Sequence, residues 1–357
     1  MTTQLRLRTG FEIELLAPRG SSRRTLAVAL ADRCRGRLRP RWHHDSEPSL
    51  VPGLGHFLHL SNGFDIVDAD GEQLCSLVDD ITIVADLDAH AVPAPGWYRV
   101  LTDDPRLLRL LAGQLDPGAP LPSVLEPAAA LWGVAVQRYG EVMRLDDALG
   151  ATVALAAPVG GERERPCEIV TPPLAADHAV ALDRLLTVAR ELGFTVPIEA
   201  AVHVHLDGAP FRSASALANV VRLFGWWRPA LHELLETNPA CRRLAPLPRP
   251  LVDAVAGTPT YEQLAAAATA GGLSKFFDVN LTQLFTTRPV RDTLEVRIMP
   301  GSIDTAAILR RAGLVEHLLR RCVDPTPLPR PTSGTIGELL HAAPADDSAP
   351  AESVAQG

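Results

Sequence analysis

Four short segments of the chain alternate apolar side chains with acidic or imidazole side chains. Such alternation is the pattern of a β-strand, in which successive side chains point to opposite faces of the sheet. In the first segment, residues 7–16, Glu12 and Glu14 face away from the apolar residues. The other three segments span residues 166–174, 201–207 and 293–302. Each segment is predicted to be a strand with one apolar face and one ionisable face.

The ionisable faces differ from an ordinary solvated strand face. They carry Glu168 in the second segment, His203, His205 and Asp207 in the third, and Glu295 and Arg297 in the fourth. A single amphipathic strand in contact with water would also alternate, so one segment supports a structural explanation as well as a functional one. Four segments rich in Glu and His, rather than in Thr, Ser, Lys and Gln, favour a shared site.

Carboxylates that meet in one site require cations. Three or four of them cannot all stay ionised side by side, because like charges raise one another's pKa. Hard oxygen ligands with an occasional imidazole are typical of Mg²⁺ or Mn²⁺ sites. Zinc is disfavoured, since neither a cysteine pair nor a His-Glu-x-x-His helix accompanies these residues. The pattern therefore predicts a magnesium or manganese site.

Lys275 is the only lysine of the chain, and the other basic residues are arginines. It lies in the segment Leu-Ser-Lys-Phe-Phe-Asp-Val-Asn, residues 273–280. Lysine is a compact point charge, whereas arginine is a planar fork suited to bidentate pairing. Lys275 could therefore bind a phosphate, or it could be a solvated surface residue. Strict alternation would turn it away from Asn280, so it reaches the site only if it precedes the strand proper.

The remaining pattern predicts strands grouped with helices between them. Strands are expected at 3–16, in a meander at 56–86 and as a pair within 151–171, and helices at 21–34, 104–115, 126–138, 175–193, 213–237, 259–270 and 304–322. An arginine cluster from Arg33 to Arg41 indicates a solvated edge strand. This order is typical of an α+β fold with a mostly antiparallel sheet.

Composition indicates a globular enzyme of the cytoplasm. The chain has 357 residues, 46% of them apolar, with five scattered cysteines, no signal-peptide pattern and no apolar run long enough for a membrane helix. A net charge of −8 disfavours a nucleic-acid partner. We expect one catalytic domain over residues 1–324 with an insertion at 87–150. The Pro-, Ala- and Asp-rich tail, 325–357, is predicted to be disordered apart from a short helix near 335–342.

Five motifs together resemble the amidoligases, which belong to the carboxylate–amine ligase superfamily of glutamine synthetase and glutamate–cysteine ligase. In chain order they are Gly-Phe-Glu-Ile-Glu (10–14), Cys-Glu-Ile-Val-Thr-Pro-Pro-Leu (167–174), His-Val-His-Leu-Asp (203–207), Lys-Phe-Phe-Asp-Val-Asn (275–280) and Leu-Glu-Val-Arg-Ile-Met-Pro-Gly-Ser (294–302). Each motif is short, but their conjunction in this order is specific for the superfamily. The resemblance implies a curved antiparallel sheet that cradles two metal ions, with helices on its other face.

The resemblance also implies roles for individual residues. Glu14 and Glu168 would hold one divalent cation. A second cation, bridging the phosphates of ATP, would be held by Glu12, His203 and Glu295. The nucleotide would further contact His205, Lys275, Asn280 and Arg297, with Arg297 near the transferred γ-phosphate. A third carboxylate for the first cation is not evident, and Asp177, Asp207 or water could serve.

The function implied is an ATP- and Mg-dependent ligase that joins a carboxylate and an amine through an acyl phosphate. Both substrates would be small molecules or peptides, and neither can be named from the sequence. Two alternatives use the same residues. One is a metal-dependent hydrolase, in which Lys275 and Arg297 would lack an evident task. The other is a non-catalytic relative that binds nucleotide or peptide, although such a relative would be expected to have lost metal carboxylates.

Overall fold

The protein is described by a computed structural model covering residues 4–48 and 56–343. Its class is α+β: within these residues, twelve strands form one open antiparallel sheet and ten α-helices accompany it. The strands are β1 (Thr9–Leu16), β2 (Arg37–Pro48), β3 (His56–Val67), β4 (Gln73–Val78), β5 (Tyr98–Thr102), β6 (Gln137–Tyr139), β7 (Val142–Asp146), β8 (Thr152–Pro158), β9 (Pro166–Val170), β10 (Ala201–Asp207), β11 (Val279–Asn280) and β12 (Thr293–Pro300). The fold class predicted from the sequence is confirmed.

The helices lie between these strands in the chain. They are α1 (Arg23–Arg33), α2 (Pro105–Gln114), α3 (Glu126–Trp132), α4 (His178–Glu191), α5 (Ala214–Trp226), α6 (Arg228–Leu235), α7 (Arg249–Ala254), α8 (Tyr261–Ala270), α9 (Thr305–Val323) and α10 (Ile336–Ala342). No helix in the described part of the chain is long and apolar enough to cross a membrane.

The strand order brings distant parts of the sequence together. Across the sheet it runs β11-β12-β10-β1-β9-β4-β3-β5-β8-β7-β6, and β2 pairs with β3 off this path. Strand β1 therefore lies between β10 and β9, and both pairings are antiparallel. Four of the five motifs thus occupy adjacent strands, and the fifth ends in β11 at the sheet's edge.

The alternation in these strands has a packing cause. Phe11, Ile13 and Leu15 of β1 are fully buried in the main hydrophobic core, together with apolar residues of α1, α4, α5 and α9. Fully burying each such side chain contributes roughly 1.5–3 kcal/mol, so the strand's orientation is strongly fixed. The residues between them must then face the opposite side of the sheet, where the ionisable groups meet.

A second core lies in the part of the chain predicted to be an insertion. Buried residues of β5, β7, β8, α2 and α3 form a cluster of their own, which also includes Trp42 and Leu60. Tyr98 and Trp42 pack edge to face there, with ring centroids 6.0 Å apart. This region continues the sheet but has its own apolar support; that it is an insertion stays a prediction.

Three segments differ from the sequence-based expectation. The predicted long helix at 213–237 is two helices, α5 and α6, because Pro229 at the start of α6 lacks an N–H and cannot continue a preceding helix. The helix predicted at 126–138 stops at Trp132, where Gly133 adopts a left-handed conformation with φ of 64°. The Lys275 segment forms a strand only at Val279–Asn280.

Strand β2 and helix α10 agree with the sequence-based expectation. Strand β2 pairs with β3 alone among the described strands, as the arginine cluster indicated. Helix α10 covers the short helix expected near 335–342, and Leu328 and Leu339 are buried against the main core. Of the tail predicted to be disordered, residues 325–343 are described and residues 344–357 lie outside the described residues, so its disorder stays a prediction.

Candidate active site

The ionisable faces of four strands meet because of their pairing register. The paired residues are Glu12 with His203 between β1 and β10, Glu14 with Glu168 between β1 and β9, His205 with Glu295 between β10 and β12, and Asn280 with Glu295 between β11 and β12. Directly opposed residues in antiparallel strands have neighbouring side chains on one face. The register thus places the predicted metal ligands side by side.

His203 lies at the centre of this group. Its Nδ1 is 3.2 Å from Glu12 Oε2 and 3.6 Å from Glu295 Oε1, and its Nε2 is 3.4 Å from Glu14 Oε1. His205 Nε2 is 3.0 Å from Glu12 Oε1. Ligand atoms of Glu12, His205 and Glu295 lie within 4.8 Å of one another, a spacing that could hold a cation. Both imidazoles are therefore placed to complete this first group of ligands.

A second group of carboxylates lies on the other side of His203. It comprises Glu14, Glu168 and Asp80, and Asp80 follows β4 at the point where Val78 pairs with Glu168. Burial and the charge of Asp80 raise the pKa of Glu14 well above its usual range. Burial and the charges of Glu12, Asp80 and Glu14 do the same for the pKa of Glu168. A cation would relieve this crowding, so the donor set suits a divalent metal.

The two groups differ in charge balance. Burial would raise the pKa of Glu12, but the charge of His205 and hydrogen bonds from His203 and His205 outweigh it and hold the pKa well below its usual value. For Glu14, burial and the charge of Asp80 outweigh the charge of Arg297 and the hydrogen bond from Ala201 N–H, and for Glu168 every main cause raises the pKa. The histidines therefore compensate the carboxyl of Glu12 in the first group, whereas the pKa values of Glu14 and Glu168 in the second group remain raised.

Arg297 and Asn280 are both held by Glu295. Asn280 Nδ2 donates to Glu295 Oε2 at 2.8 Å, and Arg297 Nη1 forms a close ion pair with Glu295 Oε1. Arg297 Nε is buried without a hydrogen-bond partner among the described residues. Asp278, another conceivable partner of Arg297, pairs instead with Arg228 and His232, at 2.6 and 2.8 Å. The guanidinium of Arg297 is thus fixed beside the metal-ligand group.

Two cavities open on either side of the carboxylates. The small cavity, of about 160 Å³, is lined by Glu14, Asp80, Glu199, His203, Arg242, Arg243, Lys275 and Arg297, among others. The large cavity, of about 650 Å³, is lined by Arg8, Phe11, Arg41, Pro172, Pro173, His205, Asp207, Arg291 and Thr293, among others. Both cavities share Glu12, His43 and Glu168. The ligand groups therefore form the boundary at which the contents of the two cavities would meet.

Comparison with known proteins agrees with this arrangement. A family model described as "Putative amidoligase enzyme" matches residues 5–319. The chain belongs to this amidoligase family. No curated protein and no solved structure matches it. The family match includes every segment that carries the predicted site residues.

Lys275 of this amidoligase family member precedes β11, as its participation in the site requires. It is exposed and lines the small cavity, with its Nζ 5.4 Å from the centre of the Phe276 ring. His205, which the resemblance places near the same phosphates, lines the large cavity. The structure thus brings the carboxylates, imidazoles and Arg297 together, but separates Lys275 from His205. The assignment of Lys275 to the nucleotide stays a prediction.

The family resemblance did not identify a third carboxylate for the cation near Glu14 and Glu168, and the structure provides a candidate. Asp207 lines the large cavity and Asp177 precedes α4, whereas Asp80 lies beside Glu14 and Glu168. The adjacent Asp79 pairs instead with Arg163 at 2.5 Å. The sequence signal was an Asp-Asp pair directly after a strand, which the predicted meander at 56–86 concealed.

Sequence reasoning also missed His43, on β2. It lines both cavities, and burial lowers its pKa to about 4, so its imidazole is neutral at physiological pH. Arg41, on the same face of β2, lines the large cavity and pairs with Asp65 at 3.0 Å. The arginine cluster indicated a solvated strand and gave no sign that one face of it borders the site.

Proposed function

We propose that this chain is an ATP- and Mg-dependent ligase that forms an amide bond between a carboxylate and an amine through an acyl phosphate; Mn²⁺ could replace Mg²⁺. Family membership supports amide formation. The observation that carries the rest of the proposal is the position of two ligand groups between two cavities. Such a boundary would let a nucleotide on one side transfer phosphate to an acid on the other.

Activation by ATP answers a chemical problem. A carboxylate is a poor electrophile, because oxide or hydroxide would have to leave. An oxygen of the carboxylate attacks the γ-phosphorus and ADP leaves, giving a mixed anhydride. The amine, having lost one proton to a base, then attacks the acyl carbon and inorganic phosphate leaves. Phosphoryl transfer of this kind depends mainly on positioning and on charge stabilisation.

The proposed cation ligands follow the two groups. Glu12, Glu295 and an imidazole, His203 or His205, would hold the cation that contacts the nucleotide phosphates. Glu14, Glu168 and Asp80 would hold the other, beside the reacting acid. Divalent cations there would neutralise phosphate oxygens and align the reactants. The raised pKa of both Glu14 and Glu168 supports this assignment, since bound cations would favour their ionised forms.

The large cavity suits a nucleotide. Its lining combines the arginines Arg8, Arg41 and Arg291 with apolar surface from Pro172 and Pro173. Guanidinium groups bind phosphate oxygens bidentately, and apolar surface accepts a base. Its volume of about 650 Å³ is within the roughly 300–1,000 Å³ of ligand sites for molecules of this size.

The small cavity suits the acid and the amine. Arg297 lines it and is fixed by its ion pair with Glu295, so its planar fork is preorganised beside the point of transfer. There it would stabilise the charge that develops on the transferred phosphate. Lys275, in the same cavity, would add a mobile point charge to the γ-phosphate.

Hydroxylamine tests the proposal without knowledge of the natural amine. The purified protein is incubated with ATP, MgCl₂, hydroxylamine and pools of carboxylic acids and amino acids, while ADP and hydroxamate are measured. We expect ADP release that requires metal, acid and hydroxylamine together, with one hydroxamate formed per ADP. ADP release without acid or hydroxylamine, or hydrolysis of amides without ATP, would instead favour the hydrolase alternative. Glu168→Gln serves as the inactive control.

A further inference from the structure

One wall of the small cavity is formed by two chain segments tied together. Asn238 Nδ2 donates to the carbonyl of Ile198 at 2.6 Å, and Cys241 Sγ donates to the carbonyl of Ala200 at 3.3 Å. Glu199 and Arg242 are the neighbours of these contacting residues, and both line the cavity. The contacts therefore place an acidic and a basic side chain on the same wall.

Glu199 is a buried carboxylate, and one of its oxygens lacks a hydrogen-bond partner among the described residues. Its side chain is 3% exposed, and Oε1 accepts hydrogen bonds from the backbone N–H groups of Val84 and Ala85, at 2.6 and 2.7 Å. Oε2 has no hydrogen-bond partner among the described residues. Burial opposes ionisation, but these N–H donors and the charge of Arg242 outweigh it and lower the pKa. A buried, ionised oxygen without a donor is costly and favours a ligand that supplies one.

Arg242 is the basic counterpart. Its side chain is exposed, lines the cavity and forms no hydrogen bond or ion pair within the described parts of the chain. Its neighbour Arg243 instead lies over the ring of Phe276, 5.1 Å from the centroid, at a left-handed backbone position with φ of 59°. Such a conformation is costly for a residue other than glycine, and it accompanies an aromatic contact that Arg243 makes.

We propose that Glu199 and Arg242 bind the ammonium and the α-carboxylate of a free α-amino acid, which is a substrate of the small cavity. Opposite charges that lie close together without pairing match a zwitterion. A polyamine would leave Arg242 without a partner, and a peptide carboxyl terminus would leave Glu199 without one. The cavity, at about 160 Å³, is smaller than sites for drug-sized ligands, which favours a small substrate.

This inference rests on the proposed function only in naming the amino acid as a substrate; the binding itself is independent of ATP. Isothermal titration calorimetry of the full chain with MgCl₂, but without ATP, tests it. The probes are L-glutamate, L-aspartate, L-glutamine and L-alanine, each paired with the analogue that lacks the amino group: glutarate, succinate, glutaramate and propionate. We expect at least one amino acid to bind about tenfold or more tightly than its analogue, because the loss of one hydrogen bond to a charged group lowers affinity by at least about that factor.

Two variants and a control locate the site. Glu199→Gln keeps an oxygen for the two backbone N–H groups but removes the charge, so the amino acid should lose at least about tenfold in affinity while its analogue loses little. Arg242→Gln, at an exposed position, should weaken both members of the pair. Arg138→Gln changes an arginine whose side chain is 61% exposed, on the β6–β7 hairpin, and should change neither affinity.

The outcomes separate this inference from the proposed function. Equal binding of an amino acid and its analogue, unchanged affinity in Glu199→Gln, or no binding of any probe would overturn the inference, whatever the ligase assay shows. Binding with the predicted response of both variants would support it even if ATP is never consumed. In that case the ligase proposal, and not the amino-acid site, would fail.

Discussion

The two cavities border the same carboxylates but differ in the rest of their lining. The large one presents arginines and apolar surface, whereas the small one is lined by carboxyls, Glu14, Asp80 and Glu199, interrupted by a few cations. Both lie on one face of one sheet. The difference arises from position along the strands: Glu12 and Glu14 differ by two residues of β1, and the cavities open toward opposite ends of that strand. One short motif therefore borders both cavities.

Electrostatics sharpen the contrast. In the group that contains Glu12, the charge of His205 and hydrogen bonds from His203 and His205 hold the pKa of Glu12 well below its usual value. On the small-cavity side, Glu14 and Glu168 crowd Asp80 and resist ionisation. The small-cavity group thus depends on cations for its charge balance more than the other does. Substitutions and changes of pH should therefore affect the two sides differently.

The largest effect is expected at Glu168, which both cavities share. Glu168→Gln removes a ligand of the proposed cation site. Mutating a residue that only contacts a metal ligand already lowers metal affinity or activity by roughly 10–100-fold, so ATP-dependent phosphate release should fall by at least about 100-fold. The substitution also removes a carboxyl from a crowded group, so the metal-free chain should be at least as stable. Steady-state assays and thermal unfolding without metal measure both. Loss of activity accompanied by unfolding would count against the assignment.

Arg297 should follow. Arg297→Lys keeps the charge but loses the planar fork, so turnover should fall by at least about tenfold. The rate is compared with the unfolding temperature of the same sample, which should change little. An unchanged rate with a lowered unfolding temperature would mean that Arg297 is only the ion-pair partner of Glu295.

The pH dependence of stability should distinguish the two groups. The folded-state pKa of Glu14 is raised, so the native chain binds more protons than the unfolded one, and the metal-free protein loses stability as pH rises from about 4.3 toward that pKa. A tenfold change in the proton affinity of one carboxyl is equivalent to about 1.4 kcal/mol of stability. Denaturant titrations across this range should show a flatter profile for Glu14→Gln and for wild type with MnCl₂. A profile that neither change affects would contradict the raised pKa of Glu14.

Lys275 should give the smallest effect, because its exposed charge is screened by solvent. Lys275→Met is expected to raise the KM for ATP roughly threefold, and Lys275→Arg to recover part of this, as for a point charge on phosphate. The KM for the acid substrate is measured alongside. If only the KM for the acid substrate rises, Lys275 contacts the acid rather than ATP. Equal kinetics in wild type and both variants would mean that Lys275 is a surface residue without a role in the site.

Periodic parts of the site could be predicted from the sequence, and aperiodic parts could not. Glu12, Glu14, His203 and Glu295 were evident because strand alternation fixes which side chains share a face. Asp80 and Glu199 lie in turns next to strands, where no period applies. Their position in the same cavity as Glu14 depends on the strand order, which joins β4, β9, β1 and β10. The order of the strands in the sheet cannot be predicted from short sequence motifs.

The same limit explains the helices and the second core. The apolar pattern of 213–237 continues through Pro229, so periodicity alone predicted one helix where the missing N–H produces two. The arginines and histidines of β2 indicated that this strand is solvated. In the structure one of its faces supports the second core through Trp42 and the other carries His43 into the site.

Crystals grown with MnCl₂ and a non-hydrolysable ATP analogue test the central claim most directly, through anomalous scattering at the manganese edge. We predict two peaks about 4 Å apart. One should lie against Glu12 and Glu295, and the other against Glu14, Glu168 and Asp80, with the nucleotide in the large cavity. A single peak, or manganese and nucleotide bound away from this boundary, would contradict the proposed two-cation site.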